Sequence, residues 1–226
     1  MSDSREMFGL SSEELKKQAA YSGDPWRPAN PYFAKAELHM QRMWDGAIHP
    51  FIQGVDFTST LDLAAGHGRN SALLLRHASR LTVMDIQPGN VDVCRGRFGD
   101  RQDISYVANN GYDFEPVAND SISFVYCFDA MVHFESDVVR SYLRDAQRIL
   151  VPGGFGFFHH SNFVGGDNWK TNPGSRNFMS REFFAHYSRK EGLEVVKQQV
   201  INWGQHLNLD CFTLIAKPAA KDANCS

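Results

Sequence analysis

The chain has 226 residues, 42% hydrophobic and 22% charged, which is the composition of a soluble globular protein and a length that suits one domain. Lys and Arg number 23 against 26 Asp and Glu, a net charge of −3, which argues against a broad electrostatic surface for nucleic acid. No uninterrupted apolar run reaches the ~18 residues of a membrane span. The polar start MSDSREMFGL is unlike a secretory signal, so a cytoplasmic protein is expected.

Along the chain, residues 1–10 read as frayed. SSEELKKQAAY (11–21) carries Ser at a cap position and Glu14 placed for a capping box. GDPWRPANP (23–31) has three prolines and reads as irregular. From Tyr32 to Ile52, Phe33, Ala36, Met40, Met43, Trp44 and Ile48 recur at helical spacing. At Thr60 the texture changes. TLDLAA (60–65), RLTVMD (80–85), ISYVA (104–108), SISFVYCF (121–128) and FGFFHH (155–160) read as buried strands. Helical segments at 71–78, 87–98 and 136–150 lie between them, and VPGG (151–154) ends the last. A helix over 180–192 capped by Ser180 follows, with Gly192 just past its end. EVVKQQVINW (194–203) and LDCFTLIAKP (209–218) close the chain as strands. The five residues between them are too few for a crossover, so the pair is predicted to be an antiparallel hairpin. Strands alternating with helices predict a doubly wound, mostly parallel α/β sheet with a ligand at the carboxyl ends of its central strands. The expected organisation is an N-terminal helical lid (1–54), an α/β domain (55–218) and a tail (219–226).

The four cysteines, Cys94, Cys127, Cys211 and Cys225, form no CxxC pair, so free thiols are expected rather than a zinc ribbon or a disulfide framework. The nine histidines show no HxH or HExxH spacing. His159-His160 is the adjacent pair.

The first strand runs into L-D-L-A-A-G-H-G-R-N (61–70). Gly66 and Gly68 lie where the chain turns into a helix. Glycine lets the backbone approach a ligand closely, and the helix start offers unpaired N–H groups. Asp85 ends the second strand, 17 residues after Gly68, where a carboxylate can accept both hydroxyls of a ribose. The half-fold therefore suits an adenosine-containing cofactor. A nicotinamide fingerprint would place glycine where Ser71 stands.

Here the sequence resembles the class I S-adenosylmethionine-dependent methyltransferases. Asp62, Ala64, Gly66 and Gly68 match their first motif, D-x-G-x-G-x-G, with Ala64 in place of the first glycine. Asp85, the VPGG turn and the terminal hairpin match as well. The resemblance spans about residues 55–218 and implies a Rossmann-like seven-stranded sheet with S-adenosylmethionine as cofactor. It implies that Asp62, Ala64, Gly66 and Gly68 line the methionine end. Asp85 would hold the ribose, Ile86 would pack on the adenine, and Asn110, with Asn109 and Gly111 beside it, would read the adenine amine. An amide oxygen can accept from that amine. Phe128 is included in the same set.

Beyond the cofactor, the loop C-F-D-A-M-V-H-F-E (127–135) is expected to rim the site. Asp129 and His133 are four apart, which on a helical turn puts them on one face. A carboxylate beside an imidazole fixes its tautomer and raises its basicity, so His133 is the first candidate for a general base. Alternation sends His159 and His160 to opposite faces of the fifth strand. Either could be a base, an orienting group or, with Asp129, a metal ligand, although no second carboxylate has ligand spacing and no metal is expected. Asn162 is a candidate for acceptor hydroxyls. In the Gly/Asn-rich stretch 164–180, Trp169, Lys170, Asn172 and Arg176 could form an acceptor wall, since aromatic faces and amides suit a polyol. HHSNF, RNFMS and FDAMVH resemble a bacterial subgroup of small-molecule methyltransferases associated with saccharide modification. The expected acceptor is therefore a small polar molecule, a sugar or glycan hydroxyl first, with N- or C-methylation of a small metabolite as the alternative. A nicotinamide oxidoreductase, a non-catalytic cofactor binder and a nucleic-acid methyltransferase rank below these. No nucleic-acid partner is expected, and a homodimer stays open.

Overall fold

The computed structural model describes residues 10–166 and 170–219. Cys225, Trp169 and almost all of the two predicted frayed ends lie outside these residues. Helix α1 (Ser12–Gly23) starts at N-cap Ser11, whose hydroxyl and backbone close a capping box with Glu14. A 3-10 turn over Asp24–Trp26 leads to α2 (Tyr32–Met43). The helical path then widens into a π turn (Trp44–Ile48) and ends in α3 (His49–Phe51). Pro50 has no N–H to continue an ordinary turn, and the wider turn makes room for its ring.

From Ser59 the chain alternates: β1 (Ser59–Leu63), α4 (Ser71–Leu74), β2 (Arg80–Asp85), α5 (Pro88–Phe98), β3 (Ile104–Ala108), β4 (Ile122–Cys127), α6 (Ser136–Ile149) and β5 (Leu150–Ser161). Helix α7 (Arg181–Lys190), β6 (Glu194–Trp203) and β7 (His206–Ala216) complete it. The seven strands form one sheet in the order β3-β2-β1-β4-β5-β7-β6. Neighbours from β3 to β5 are parallel, and β7 runs antiparallel to both β5 and β6.

Three elements differ from expectation. Helix α4 keeps four residues of the predicted 71–78, because the following amides bond carbonyls three residues back as well as four. The VPGG stretch is part of β5: Gly153 N–H donates to the Lys217 carbonyl and Lys217 N–H to the Gly154 carbonyl. The hairpin is tighter than expected, with Trp203 pairing His206 across Gly204 and Gln205. Gly204 has φ +59°, which a two-residue turn between twisted strands demands.

Strand alternation splits the core in two. On one face, Leu61, Leu63, Val125, Cys127 and Phe158 pack against Ala19 and the apolar stripe of α6 from Val138 to Ile149. On the other, Phe124, Tyr126, Phe157 and Phe212 pack against Met40, Trp44, Ile48, Phe51 and Ile52. Of the predicted lid over 1–54, the part from about residue 40 is thus core. The aromatic stripe that marks it is buried because it faces a sheet of aromatics.

Trp44 is almost fully buried and contacts Tyr126, His49 and His77 through its ring. Trp44→Ala is expected to cost about 3–5 kcal/mol, seen as a lower urea midpoint. An unchanged midpoint would mean that this segment is a detachable cover.

Candidate active site

The strand order reverses at β1 and β4, and their connections leave in opposite directions, which opens a crevice at their carboxyl ends. A cavity lies there. Its floor is the turn after β1 (Leu63 to His67), and Asp85, Ile86, Asn90, Asn109 and Gly111 form one wall. Phe128, Asp129 and Ala130 form the other, and Ala19, Gly23, Trp26, Tyr32 and Phe33 cover it.

The floor requires unusual backbone. Ala64, Gly66 and Gly68 have φ of +57°, +54° and +79°. A side chain on Gly66 would collide with the Phe33 ring, 2.5 Å from an ideal Cβ. Gly68 does not line the cavity; a Cβ there would meet Phe98 and Cys94 of α5, so its role is close packing. Asp62 also lies behind the floor. It is fully buried, accepts a 2.6 Å bond from the Ser71 hydroxyl, and leaves Oδ1 without a partner. Burial pushes its carboxyl up to about 7.

Asp85 is pinned. Oδ2 accepts from Gly66 N–H at 2.9 Å, and Oδ1 accepts from Gln87 N–H at 2.8 Å and from Asn90 Nδ2 at 3.2 Å. Burial raises its pKa, against these hydrogen bonds. Ile86 fills the wall beside Gly111, whose missing Cβ would sit 2.3 Å from Ile86 Cδ1. Asn109 donates to the Asp113 carbonyl and to Tyr142 Oη, and its buried Oδ1 has no partner. Asn110 instead ties its own loop: Oδ1 accepts from the Tyr112 and Asp113 amides, and Nδ2 donates to Asp113 Oδ1. The cavity-facing amide is therefore Asn109 rather than Asn110.

At the opposite wall stands Asp129. Its φ is +59°, and its side chain is 4% exposed. Oδ2 accepts from the Tyr32 hydroxyl and from Arg69 Nη2, the latter at 2.6 Å. No protein donor reaches Oδ1 among the described residues. Arg69 also lies over the Tyr32 and Phe128 rings. Burial and the Asp129 carboxylate raise the Tyr32 hydroxyl pKa, so this phenol is a hydrogen-bond donor.

The histidines sit elsewhere. The predicted helical turn pairing Asp129 with His133 does not form, because Asp129 adopts left-handed backbone and a 3-10 turn (Met131–His133) follows. His133 Nδ1 donates to the Ser175 carbonyl at 2.9 Å, and its ring lies 5.0 Å from that of Trp26, facing a second cleft beside Gln18 and Asn177. Burial pushes it down to about 4. His159 and His160 do point to opposite faces. His160 stacks on Phe184 at 4.0 Å and bonds the Ser161 carbonyl and the Thr213 hydroxyl, and burial pushes it down to about 3. His159, also fully buried, accepts from Asp129 N–H at Nδ1 and meets Asp210 through Nε2. Thus Asp129, alone of the four predicted catalytic residues, lines the cavity. Asn162 is used up at the start of α7, whose N-cap is Ser180: its Oδ1 accepts from Arg181 N–H and its Nδ2 donates to the Asn208 carbonyl. Asn172 organises its own turn, and Arg176 forks onto Asp210. Lys170 borders the second cleft.

Sequence reasoning missed Arg69 and Asn90 and gave Tyr32 no role beyond its place in the N-terminal helical lid. Arg69 had a signal in the G-H-G-R-N turn, where a cation beside the glycines must lie near the site. Asn90 had none until α5 was placed against Asp85.

Residues 60–154 match the family described as a methyltransferase domain. A demethylmenaquinone methyltransferase of Tropheryma whipplei is 30% identical over 95 residues, 42% of this chain and 38% of its own length. The chain thus matches well under half the length of that curated relative. An S-adenosylmethionine-dependent methyltransferase from Mesorhizobium loti superposes with a TM-score of 0.63 at 16% identity, over 77% of this chain and 97% of that one. The N-methyltransferase NodS from Bradyrhizobium japonicum WM9, in complex with S-adenosyl-L-homocysteine, gives 0.57 at 18% identity, over 92% and 98%. Residues 60–154 therefore resemble a methyltransferase domain, and the chain shares the fold of these solved methyltransferases.

Two outcomes test this geometry. Ala64→Gly removes a Cβ from left-handed backbone, and should stabilise the chain by about 0.5–1 kcal/mol after the entropy of glycine is subtracted; urea titration reads it. His133 and His160 have folded pKa values below the unfolded value of about 6.5, so the unfolded chain binds the extra protons. Their stability contribution is present above that value and falls on acidification toward pH 4, by about 1.4 kcal/mol per pH unit for each histidine. His160→Gln should flatten the fall in melting temperature between pH 7 and 5; an equal slope would refute the buried neutral state.

Proposed function

We propose that this chain is an S-adenosylmethionine-dependent methyltransferase acting on a small polar acceptor, a sugar or glycan hydroxyl first. The observation that carries the reading is a covered cavity with a pinned carboxylate, Asp85, at one end and a carboxylate oxygen that no described donor reaches, Asp129 Oδ1, on the opposite wall.

The residues present fit the cofactor. Asp85 uses three of about four acceptor positions of a carboxylate, which leaves one for a ribose hydroxyl. The buried Oδ1 atoms of Asn90 and Asn109 lack donors, and both residues line the same wall. An unpaired buried acceptor is costly, and a ligand that donates to it removes the cost. Ile86, packed against Gly111, offers an apolar surface for a flat ring. Ala64, Gly66 and Arg69 would hold the amino-acid end. S-adenosylmethionine, when bound, supplies a methyl group already activated on a sulfonium sulfur.

The chain's own part is alignment and exclusion of water. Trp26, Tyr32, Phe33 and Phe128 close the cavity and keep it apolar around the reacting atoms. Tyr32 and Arg69 hold one Asp129 oxygen, so the other has one orientation. That oxygen orients an acceptor hydroxyl and takes its proton as the oxygen is methylated. An amine acceptor would use the same oxygen as a hydrogen-bond acceptor. NodS is an N-methyltransferase, which keeps this second reading alongside the first.

The test is transfer of labelled methyl from S-adenosylmethionine into separated saccharide, lipid, small-metabolite, protein and nucleic-acid fractions. Label in saccharides is expected; label confined to protein or nucleic acid would overturn the acceptor class. Asp129→Asn should lower turnover about 10²–10⁴-fold while the dissociation constant for S-adenosyl-L-homocysteine holds. Asp85→Ala should weaken that constant about 10–100-fold; calorimetric titration with both variants separates the two roles.

A further inference from the structure

Asp129 is held from behind as well as from the cavity. Its backbone N–H donates to His159 Nδ1 at 3.1 Å. Because Nδ1 accepts, the ring proton sits on Nε2, which points at Asp210 Oδ2, 3.2 Å away. Asp210 accepts a fork from Arg176, with Nε to Oδ1 at 2.9 Å and Nη2 to Oδ2 at 2.7 Å. The chain of bonds therefore runs from the cavity wall, across β5 and β7, to the segment that follows residue 170. His159 and Asp210 are fully buried, which is costly for polar groups unless each bond is made. Burial pushes the Asp210 carboxyl up, but the bonds from His159 and Arg176 outweigh it and hold the group below its ordinary value.

The anchored residue needs an anchor. Asp129 sits at φ +59°, where a residue with a Cβ is strained by about 1–2 kcal/mol. In relaxed extended backbone its N–H and its carboxylate would both point elsewhere. The surroundings also exclude water from the link: the His159 ring lies 4.9 Å from that of Phe128, 4.8 Å from Trp203 and 5.2 Å from Phe212. Arg176 lies over the same Trp203 ring.

We propose that His159 and Asp210 are positioning residues, which fix the strained Asp129 backbone so that its carboxylate faces the cavity, and which couple that carboxylate to the 170–180 segment through Arg176. The coupling rests on the methyltransferase reading for its effect on turnover, but not for its effect on the backbone. The geometry makes two different demands on position 159. An acceptor atom must stand at the place of Nδ1, and a donor must stand at the place of Nε2. Asparagine can supply the first through its side-chain oxygen; leucine supplies neither.

The experiment compares His159→Leu, His159→Asn and Arg176→Met with the parent chain by amide hydrogen exchange and by binding of S-adenosyl-L-homocysteine, and then by turnover. In His159→Leu, exchange in the peptide containing Asp129 should accelerate, and turnover should fall about 10²-fold, as for a small misplacement of a reacting group, with the homocysteine ligand bound as before. His159→Asn should recover most of the protection at Asp129 and most of the turnover. Arg176→Met, at a partly exposed side chain, should accelerate exchange in the 170–180 peptide and, more weakly, at Asp129. Equal losses in the Asn and Leu variants, unchanged protection at Asp129, or faster exchange across the whole sheet would overturn the proposal. If the parent chain transfers no methyl group, the proposed function fails, and the exchange data still decide the coupling.

Discussion

The structure turns on one residue in left-handed backbone, Asp129, where three separate stretches of chain meet. Tyr32 arrives from α2, Arg69 from the turn after β1, and His159 from β5. A buried carboxylate is tolerated here because a guanidinium and a phenol share one of its oxygens, and the guanidinium in turn rests on two aromatic rings. The remaining oxygen is the polar atom that the cavity offers on that wall.

The opposite wall solves a different problem. Asp85 accepts from Gly66 N–H, which ties the end of β2 to the loop after β1, and from Gln87 and Asn90, which ties it to the start of α5. The loop can come that close because Gly66 has no side chain and because Gly68 lets α5 pack against it. Backbone shape, helix packing and charge placement are one arrangement at this end. The cover is built on top of it: Phe33 occupies the space that a Gly66 Cβ would take, and stacks on His67 at 4.0 Å. The cover is thus made by the chain up to Phe33, while the stretch from Met40 onward is packed in the core.

The sheet was legible because its signals are local. Buried strands separated by amphipathic helices have one economical arrangement, and β2 and β3 fall where their sequences place them. Asp85, Ile86, Gly66 and Phe128 were legible for the same reason, since each lies next to a strand end. The acceptor side was not. Pairing His133 with Asp129 assumed a regular helical turn, and a single positive φ breaks that assumption. No residue type announces such a φ; aspartate tolerates it, but does not demand it. The amide facing the cavity was misplaced by one residue for a related reason. Asn110 is consumed by a turn that Asp113 completes, which leaves Asn109 to face inward.

The paired histidines show why residue type alone misled. Adjacent residues on a strand face opposite layers, so each histidine met a different neighbourhood. His160 met Phe184 and a hydroxyl, and became a neutral core group. His159 met a backbone amide on one side and a carboxylate on the other, which fixes its tautomer and leaves it no atom for the cavity. Imidazole in both places does what it does well in a dry interior, offering one donor and one acceptor in a rigid plane. On the proposed function, the chemistry at the cavity falls to a carboxylate. A carboxylate is a weak base in water, but it would need little strength if the methyl group to be moved is already activated. What the protein must supply is direction, and direction comes from the backbone at Asp129 and the bonds that hold it.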